Sequence, residues 1–174
     1  MTDWDQIIRR DGPAVWRTVS RLVGDRADAE ECFQEAFVAA LELARREPLT
    51  SPRALLLRMA TARSMDRLRQ RYRRRKRESA EPELDYVPSQ QTTAHEHAEA
   101  SELSQRLRDA LATLPPKQSE AFCLCCLEGW SYQEAADHLE VSSQNVGVMV
   151  HRARAKLKEL LEPAKDRKQV ETSG

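Results

Sequence analysis

Apolar residues recur every three to four positions through most of the chain, which is the spacing of one buried face of an α-helix. Alternation of apolar and polar residues is scarce, and only 5 glycines occur in 174 residues. Seven apolar stripes follow one another, over 4–22, 29–41, 55–68, 103–114, 121–127, 135–139 and 146–160. The pattern predicts an all-α protein, and it places Leu103 and Leu160 among the buried residues.

Helix-breaking residues divide these stripes. Gly12-Pro13 falls inside the first stripe, and proline fits best in the first turn of a helix, so two helical pieces are expected as an alternative to one. Pro52 precedes the third stripe and Pro163 follows the last. We expect two small helical domains, joined by a flexible acidic linker and followed by a frayed tail. Their bounds are 1–78 and 103–163 for the domains, 79–102 for the linker and 164–174 for the tail.

The segment from Ser131 to Arg154 has the pattern of two short helices with a tight polar turn. Ser131 and Glu134 have the spacing of a capping box at the start of the first helix, and Glu140-Val141-Ser142 makes the turn. The second helix carries apolar residues on one side and polar, cationic residues on the other. This predicts a helix-turn-helix, whose second helix fits the major groove of DNA. Two ordinary amphipathic helices are the alternative.

Charge is sorted along the chain, although 28 basic and 28 acidic residues give a formal net charge of zero. Basic residues crowd the third predicted helix from Arg58 to Arg77, and 78–102 contains acids but no Lys or Arg. Like charges on one helix repel, so the basic run suits a polyanion such as DNA. A solvated basic helix is one alternative. An acidic membrane surface is disfavoured because few large apolar residues interleave with the arginines.

The predicted helix at 25–44 has an acidic outward face. Its members are Glu31, Gln34, Glu35 and Glu42. A solvated helix face and an acidic docking surface explain this pattern equally well.

Composition and motifs disfavour several classes of protein. No run approaches the roughly 20 apolar residues of a membrane span, and the start lacks the features of a signal peptide, so we expect a cytoplasmic protein. No nucleophile–base set, P-loop or paired catalytic carboxylates are visible, so neither an enzyme nor a bound cofactor is expected.

A cysteine cluster suggests a different class, a metal- or redox-responsive protein. Its candidate residues are Cys123, Cys125, Cys126, His95, His97 and His138. On an α-helix Cys123 and Cys126 would lie about 60° apart. No second C-x-x-C or H-x-x-x-H matches this spacing, so no metal site is predicted. A redox role of the cysteines stays open.

Three stretches, taken in order, resemble the bacterial RNA polymerase sigma factors, specifically the short extracytoplasmic-function (ECF) group. D-A-E-E-C-F-Q-E-A-F-V-A-A at 28–40 resembles the helix that grips the β′ clamp helices of the polymerase core. S-P-R-A-L-L-L-R-M-A-T-A-R-S-M-D-R-L-R-Q-R-Y-R-R-R at 51–75 resembles the helix that melts and reads the downstream (−10) promoter element. L-P-P-K-Q-S-E-A-F-C-L-C-C-L-E-G-W-S-Y-Q-E-A-A-D-H-L-E-V-S at 114–142, continued by V-H-R-A-R-A-K-L at 150–157, resembles the family's second domain. In the family that domain binds the upstream (−35) element and the β flap.

The resemblance implies a sigma factor that binds core RNA polymerase and directs promoter-specific initiation by recognising and melting promoter DNA. The implied partners are the β′ clamp helices and β flap of the polymerase, promoter DNA and, as is common in the family, an anti-sigma factor, with no membrane insertion. The alternative is a stand-alone helix-turn-helix transcriptional regulator. That reading leaves the acidic and basic helices unexplained.

The resemblance also implies roles for individual residues. Polymerase contacts are expected from Glu31, Phe33, Gln34, Glu35 and Phe37. Contacts with the downstream element are expected from Arg58, Thr61, Ala62, Arg63, Arg67, Arg69, Arg71, Arg73 and Arg74. Contacts with the upstream element are expected from Ser143, Gln144, Asn145, Gly147, Val148, His151, Arg152, Arg154 and Lys156.

Departures from the family pattern fall at the DNA-contacting positions. The family usually has Trp at Leu55 and an Arg-Asn pair at Thr61-Ala62, so a base contact made by that Asn is absent. Gly147 and Met149 stand where the family carries cations. Glycine inside a helix costs about 1 kcal/mol relative to alanine. A close approach of the helix to DNA and simple tolerance of the glycine explain it equally well. These changes predict an unusual upstream sequence or weaker dependence on it.

Overall fold

The computed structural model describes residues 3–79 and 95–162, and it describes no side chains for 95–100. The described residues are helical and contain no strand, which confirms the all-α prediction. The elements are α1 (Trp4–Val23), α2 (Arg26–Ala44), α3 (Pro52–Glu78), α4 (His95–Thr113), α5 (Pro116–Phe122), a π-helical turn (Cys123–Leu127), α6 (Tyr132–Leu139) and α7 (Ser143–Leu161). Most of the predicted linker and the predicted tail lie outside the described residues, and α4 already begins inside the linker's predicted bounds.

The first lobe is formed by α1, α2 and α3, which pack around one apolar core. Its fully buried centre includes Val15, Val19, Ala36 and Leu56. Asp3 caps α1 by accepting a hydrogen bond from the Gln6 amide at 3.1 Å, and Asp25 caps α2 by accepting from the Asp28 amide at 3.0 Å. These caps satisfy amides at the helix starts that have no partner within the helix.

Helix α1 runs through Pro13 without a break, so of the two alternatives the single helix is present and the division at Gly12-Pro13 is not. The Pro13 ring lies on the exposed side of the helix, whereas Gly12 and Ala14 are buried. Proline removes one backbone hydrogen bond. The apolar stripe nevertheless continues on both sides of it, and packing against α3 holds the helix together.

The second lobe contains α4 to α7, with a core that includes Leu124, Ala136, Val146 and Val150. The predicted capping box is present, because the Glu134 amide donates to Ser131 Oγ at 3.1 Å and the Ser131 amide donates to Glu134 Oε2 at 2.7 Å. Ser142 caps α7 through the Asn145 amide. The predicted helix-turn-helix is therefore formed by α6 and α7.

Leu103 and Leu160 are exposed, so their predicted burial is wrong. Leu107 and Leu161 pack against the core instead. Arg106 Nη2 donates to the carbonyl of Leu161 at 3.0 Å, which places the end of α7 beside Arg106. Leu103 lies one turn before that point, and Leu160 is rotated away from the core-facing row.

The two lobes pack directly against each other. A shared apolar cluster joins α1 and α3 to α4, the π-helical turn and α7. Its buried members are Leu22, Met65, Leu68, Ala110, Leu111, Leu114, Cys123, Ala153 and Leu157. Trp130 contacts the cores of both lobes. The sequence-based expectation of two domains joined by a linker did not include this direct contact between them.

An arginine from the second lobe caps the end of α1 in the first. Arg108 Nε donates to the Leu22 carbonyl at 3.0 Å and its Nη2 donates to the Arg21 carbonyl at 3.1 Å. Burial lowers the pKa of this guanidinium, and the nearby Arg71 lowers it further. A cation at the C-terminal end of a helix meets the negative end of the helix dipole, which offsets part of the desolvation cost.

Gly24→Ala is expected to destabilise the protein for two reasons. Gly24 has a positive φ of 75°, and it lies directly against the guanidinium of Arg108. An added Cβ would lie 2.5 Å from Arg108 Cζ. The left-handed conformation costs alanine about 1–2 kcal/mol. Displacing Arg108 adds about 1–3 kcal/mol by leaving polar groups unpaired. The free energy of unfolding in urea measures the total.

Gly129→Ala is the matched control for that substitution. Gly129 has a φ of 74°, and a Cβ there meets no atom of the described residues within 4 Å. The Gly129→Ala variant should lose only the part of the unfolding free energy that comes from the left-handed backbone conformation, about 1–2 kcal/mol. An equal loss of unfolding free energy in the two variants would show that the contacts of Arg108 with the end of α1 contribute nothing to stability.

Candidate functional site

Beyond Arg53, which pairs with Asp11 of α1, the arginines of α3 divide into three groups by their partners. One group pairs with acids of α2. Arg67 Nη2 lies 2.6 Å from Glu31 Oε2, and Arg71 Nε lies 2.7 Å from Asp28 Oδ2. The longer Arg63–Glu35 pair separates Nε from Oε2 by 3.9 Å. These pairs neutralise part of the acidic face of α2 and fix it against the basic helix.

A second group reaches across to the other lobe. Arg58 Nη1 donates to the His138 carbonyl at 2.6 Å, and Arg69 Nη2 donates to Ser119 Oγ at 2.7 Å. Arg75 forms an ion pair with Asp109 of α4. In this arrangement these three side chains serve the contact between the lobes.

The third group lies at the end of α3 and is exposed to solvent. Its members are Arg73, Arg74, Lys76 and Arg77. Arg74 has only a 3.6 Å contact with the equally exposed Glu78, and such a pair contributes little. This end of α3 is the part of the basic helix that is accessible to a polyanion.

Thr61 is fully buried in this arrangement, and its contact with DNA stays a prediction. Its Oγ1 has no hydrogen-bond partner within the described part of the chain. Thr61 lies one turn after the buried Leu57 and one turn before the buried Met65, which places it on the packed side of α3. Ala62 is half-buried, and Leu55, at the family's Trp position, is buried in the first core.

An open groove runs along α2 and is walled on one side by α3. Its lining is Glu31, Gln34, Glu35, Val38, Ala39, Glu42 and Arg63. Val38 is 55% exposed in the middle of these polar side chains. The groove therefore combines an acidic rim with one apolar contact point.

Phe33 and Phe37 fix α2 from its other side. Their ring centroids are 4.8 Å apart, and Phe33 meets Trp16 of α1 edge-on at 5.9 Å. Both rings are partly buried against the first core. Packing gives them the positioning role, whereas a direct polymerase contact by either ring stays a prediction.

The outward face of α7 carries most of the predicted upstream-element residues. Gln144, Asn145, Val148, His151, Arg152, Arg154 and Lys156 are exposed, whereas Ser143 and Gly147 are half-buried. Lys156 Nζ contacts Glu159 at 3.1 Å, and Arg154 Nη2 donates to Cys126 Sγ at 3.3 Å. The face is polar and cationic, as the helix-turn-helix pattern predicts.

A neighbouring aromatic ring occupies the space beside Gly147. A Cβ at Gly147 would lie 3.3 Å from Cε2 of Tyr132, the first residue of α6. The missing side chain therefore leaves room for the ring of Tyr132, which is itself 44% exposed. Packing against Tyr132 explains the glycine at position 147 more simply than a close approach of α7 to DNA does.

The cysteine cluster does not have the geometry assumed for an α-helix. A π-helical turn carries Cys123, Cys125 and Cys126; Cys123 is buried, whereas the other two are half-exposed. His138 stacks edge-on against Trp130 at 5.0 Å. Burial lowers the pKa of His138, and Arg58 lowers it further. The side chains of His95 and His97 lie outside the described residues.

The described residues contain neither a candidate metal site nor a candidate membrane span. Across 3–79 and 95–162, no group of three His, Cys, Asp or Glu side chains could hold a metal ion. Within the same residues, no helix has the length and apolarity that spanning a membrane requires.

Three features of the site were missed from the sequence alone. Val38 follows Gln34 by one helical turn, a spacing that could have placed it on the acidic face. Tyr132 could have been matched to Gly147 only through the tertiary contact. The contacts between the lobes join residues far apart in sequence and have no local signal.

Comparison with known proteins identifies relatives of both lobes. A family model described as Sigma-70 region 2 matches residues 7–74, and one described as Sigma-70, region 4 matches residues 104–157. RNA polymerase sigma factor CarQ of Myxococcus xanthus is 30% identical over 165 residues, covering 91% of this chain and 88% of CarQ. ECF RNA polymerase sigma factor SigE of Mycolicibacterium smegmatis is 32% identical over 161 residues, covering 92% of this chain. The matched region is 62% of SigE's own length.

The fold of the chain is also found among solved structures. An example is the sigma factor RpoE in complex with the anti-sigma factor NepR, from Bartonella quintana. The TM-score is 0.56 at 23% sequence identity, and the match covers 92% of this chain and 98% of that one.

Proposed function

Because the chain belongs to the sigma-70 family of RNA polymerase sigma factors, in its ECF group, we propose that it binds core RNA polymerase and directs initiation at specific promoters. The proposal assigns polymerase binding and the downstream element to 1–78, and the upstream element to 103–163, with 79–102 connecting them. Members of the family are regulators rather than enzymes. We extend the absence of catalysis to this chain, and we place its action in the cytoplasm with the polymerase.

One observation carries the proposal: an acidic groove with an exposed apolar centre and a helix-turn-helix occur on the same chain. The groove on α2 offers Gln34, Glu35 and Val38 to a cationic partner surface. A polar rim around an apolar centre is the anatomy of a specific protein interface. A stand-alone helix-turn-helix regulator needs no such groove, and the family match does not favour that alternative.

The second lobe is proposed to read DNA through α7. Gln144 has the chemistry to bond adenine, Val148 to meet a thymine methyl, and Arg152 to bond guanine. Arg154 and Lys156 are assigned to phosphates, which set register. The β flap of the polymerase and an anti-sigma factor stay partners expected from the family.

The lobes must separate, or shift, before α3 can bind DNA along its whole length. Arg58 and Arg69 are bonded to the second lobe, and Met65 and Leu68 are buried against it. The packed arrangement is therefore proposed to be a closed state of the free protein, with the end of α3 already accessible.

Addition of the purified chain to core polymerase tests the function. Expected results are co-elution with core on a sizing column and new transcript start sites in a genomic DNA template, mapped by sequencing RNA 5′ ends. Absence of both co-elution and new start sites would refute the proposal.

Arg73→Ala combined with Arg74→Ala is expected to weaken promoter binding by the polymerase complex. The two exposed arginines would neutralise about two phosphates, so the slope of log K against log salt should fall by roughly 1.8. A salt titration on a promoter found by the mapping measures this. Arg9→Ala combined with Arg17→Ala, two exposed arginines of α1, should leave the slope unchanged. Equal slopes in both double variants and the wild type would argue against this DNA contact.

A further inference from the structure

Two half-exposed thiols lie beside an arginine of the DNA-facing helix. Cys125 and Cys126 belong to the π-helical turn that follows α5. The Arg154 guanidinium donates a hydrogen bond to Cys126 Sγ and interacts electrostatically with Cys125. Arg154 itself is exposed on α7. The proposed function uses Arg154 but gives neither thiol a role.

The four cysteines of the chain differ in access to solvent. Cys32 and Cys123 are each 1% exposed. Burial raises the pKa of the Cys32 thiol and raises that of Cys123 to about 12. Partial burial also raises the pKa of Cys125, against the effect of Arg154. Among the four, Cys126 combines access to solvent with a hydrogen bond from a guanidinium.

These features match the surroundings of reactive cysteines. The thiolate is the attacking species, and reactive thiols lie next to cationic groups and are partly exposed. A π-helical turn is also found frequently at functional sites. We propose that Cys126 is a site of reversible thiol modification, at which it exchanges with low-molecular-weight disulfides to form a mixed disulfide.

The step needs only the disulfide as oxidant. The Cys126 thiol first loses its proton to solvent, and the thiolate attacks one sulfur of the reagent. A new S–S bond forms at Cys126 as the S–S bond of the reagent breaks. The departing thiolate takes up a proton, so Cys126 is oxidised and half of the reagent is reduced. Excess thiol reverses the exchange.

The adduct would change what Arg154 can reach, a consequence that rests on the proposed function. The Cys126 sulfur lies 3.3 Å from Arg154 Nη2. A group attached there occupies the space beside the guanidinium and, if anionic, pairs with it. Arg154 would then be withdrawn from a DNA phosphate, and the upstream contact of the second lobe would weaken.

The reactivity is tested with oxidised glutathione on the full folded chain, followed by peptide mass mapping over time. Cys126 should be modified first, Cys125 more slowly, and Cys32 and Cys123 only after unfolding. Arg154→Ala should slow modification of Cys126 by about three- to tenfold, because it removes the neighbouring cation. Arg152→Ala, on the same helix, is the matched control and should leave the rate unchanged. Equal rates at Cys125 and Cys126, or no effect of Arg154→Ala, would overturn the proposal.

The consequence is tested by promoter binding of the polymerase complex before and after modification. Loss of one phosphate contact should weaken binding about three- to tenfold and lower the salt slope by roughly 0.9. Added reductant should restore both. Cys126→Ser and Cys126→Ala should bind normally and ignore the reagent, whereas Cys125→Ser should stay sensitive.

The two proposals fail in different ways. Modification at Cys126 with unchanged promoter binding would overturn the regulatory consequence while the sigma function stands. An unmodified chain that neither joins core nor binds promoters would overturn the function, and the glutathione rates would still decide the reactivity of Cys126.

Discussion

Val38→Asp is expected to lower the affinity for core RNA polymerase by about 10- to 100-fold, the range of a hot-spot residue at an interface centre. Val38 is 55% exposed and is surrounded by Glu31, Gln34, Glu35 and Glu42. An aspartate there would have to be desolvated at the apolar centre of the interface, whereas the cations of the partner surface are expected at the acidic rim. Because the side chain is exposed in the free protein, the fold should be unaffected. Fluorescence anisotropy of labelled protein titrated with core measures the loss.

Ile8→Asp is the matched control for Val38→Asp. Ile8 is a similarly exposed apolar residue, at 46%, but lies on α1 away from the groove. It should bind core with wild-type affinity. Equal weakening of both variants would point to a general effect of added charge. Wild-type binding by Val38→Asp would exclude the groove as the docking surface.

Glu128→Lys is expected to shift the protein from the closed to the open arrangement. Glu128 pairs with Arg21 and accepts a hydrogen bond from Thr18 Oγ1 at 2.8 Å, and only 15% of its side chain is exposed. Lysine places a second cation against Arg21 and removes the acceptor. Loss of a partly buried pair costs about 1–3 kcal/mol, less than a fully buried one because Arg21 is half-exposed. The ratio of closed to open protein should therefore fall by a factor of roughly 5 to 150.

Small-angle scattering and the distance between fluorophores on the two lobes measure this opening. The radius of gyration should increase while helix content stays constant. Glu102→Lys, at an exposed glutamate of α4, changes the net charge equally and should stay closed. Arg21→Glu combined with Glu128→Arg should recover part of the closure, since the ion pair is restored but the Thr18 bond is not. An unchanged radius for Glu128→Lys would show that this pair does not hold the lobes together.

Local information in the sequence was enough to predict which segments form helices. The apolar period predicted seven helical segments, and the Ser131–Glu134 spacing predicted a capping box whose two hydrogen bonds are both present. The sequence also located the acidic face of α2 and the cationic face of α7. These features depend on residues within a few turns of each other, which is why pattern reading can find them.

Tertiary contacts decided whether a helix is continuous and which of its residues are buried. The pattern of apolar positions does not encode these contacts. Pro13 reads locally as a helix break, yet packing on both sides of it keeps α1 intact. Thr61 reads as a polar residue on a DNA-binding helix, yet it is fully buried. The three-cysteine segment reads as α-helix, whereas the backbone forms a π-helical turn in which Cys123 is buried and Cys126 is half-exposed. In each case tertiary packing outweighs local preference.

By itself the sequence determined the helices, their caps, the helix-turn-helix and the sorting of charge, because each is set by neighbours along the chain. Only the tertiary structure decided which arginines of α3 face solvent and which are bonded to the second lobe. Arg58 to His138 and Arg69 to Ser119 join residues 80 and 50 positions apart. Such pairings arise from the way two apolar surfaces fit together, which periodicity along one helix does not specify.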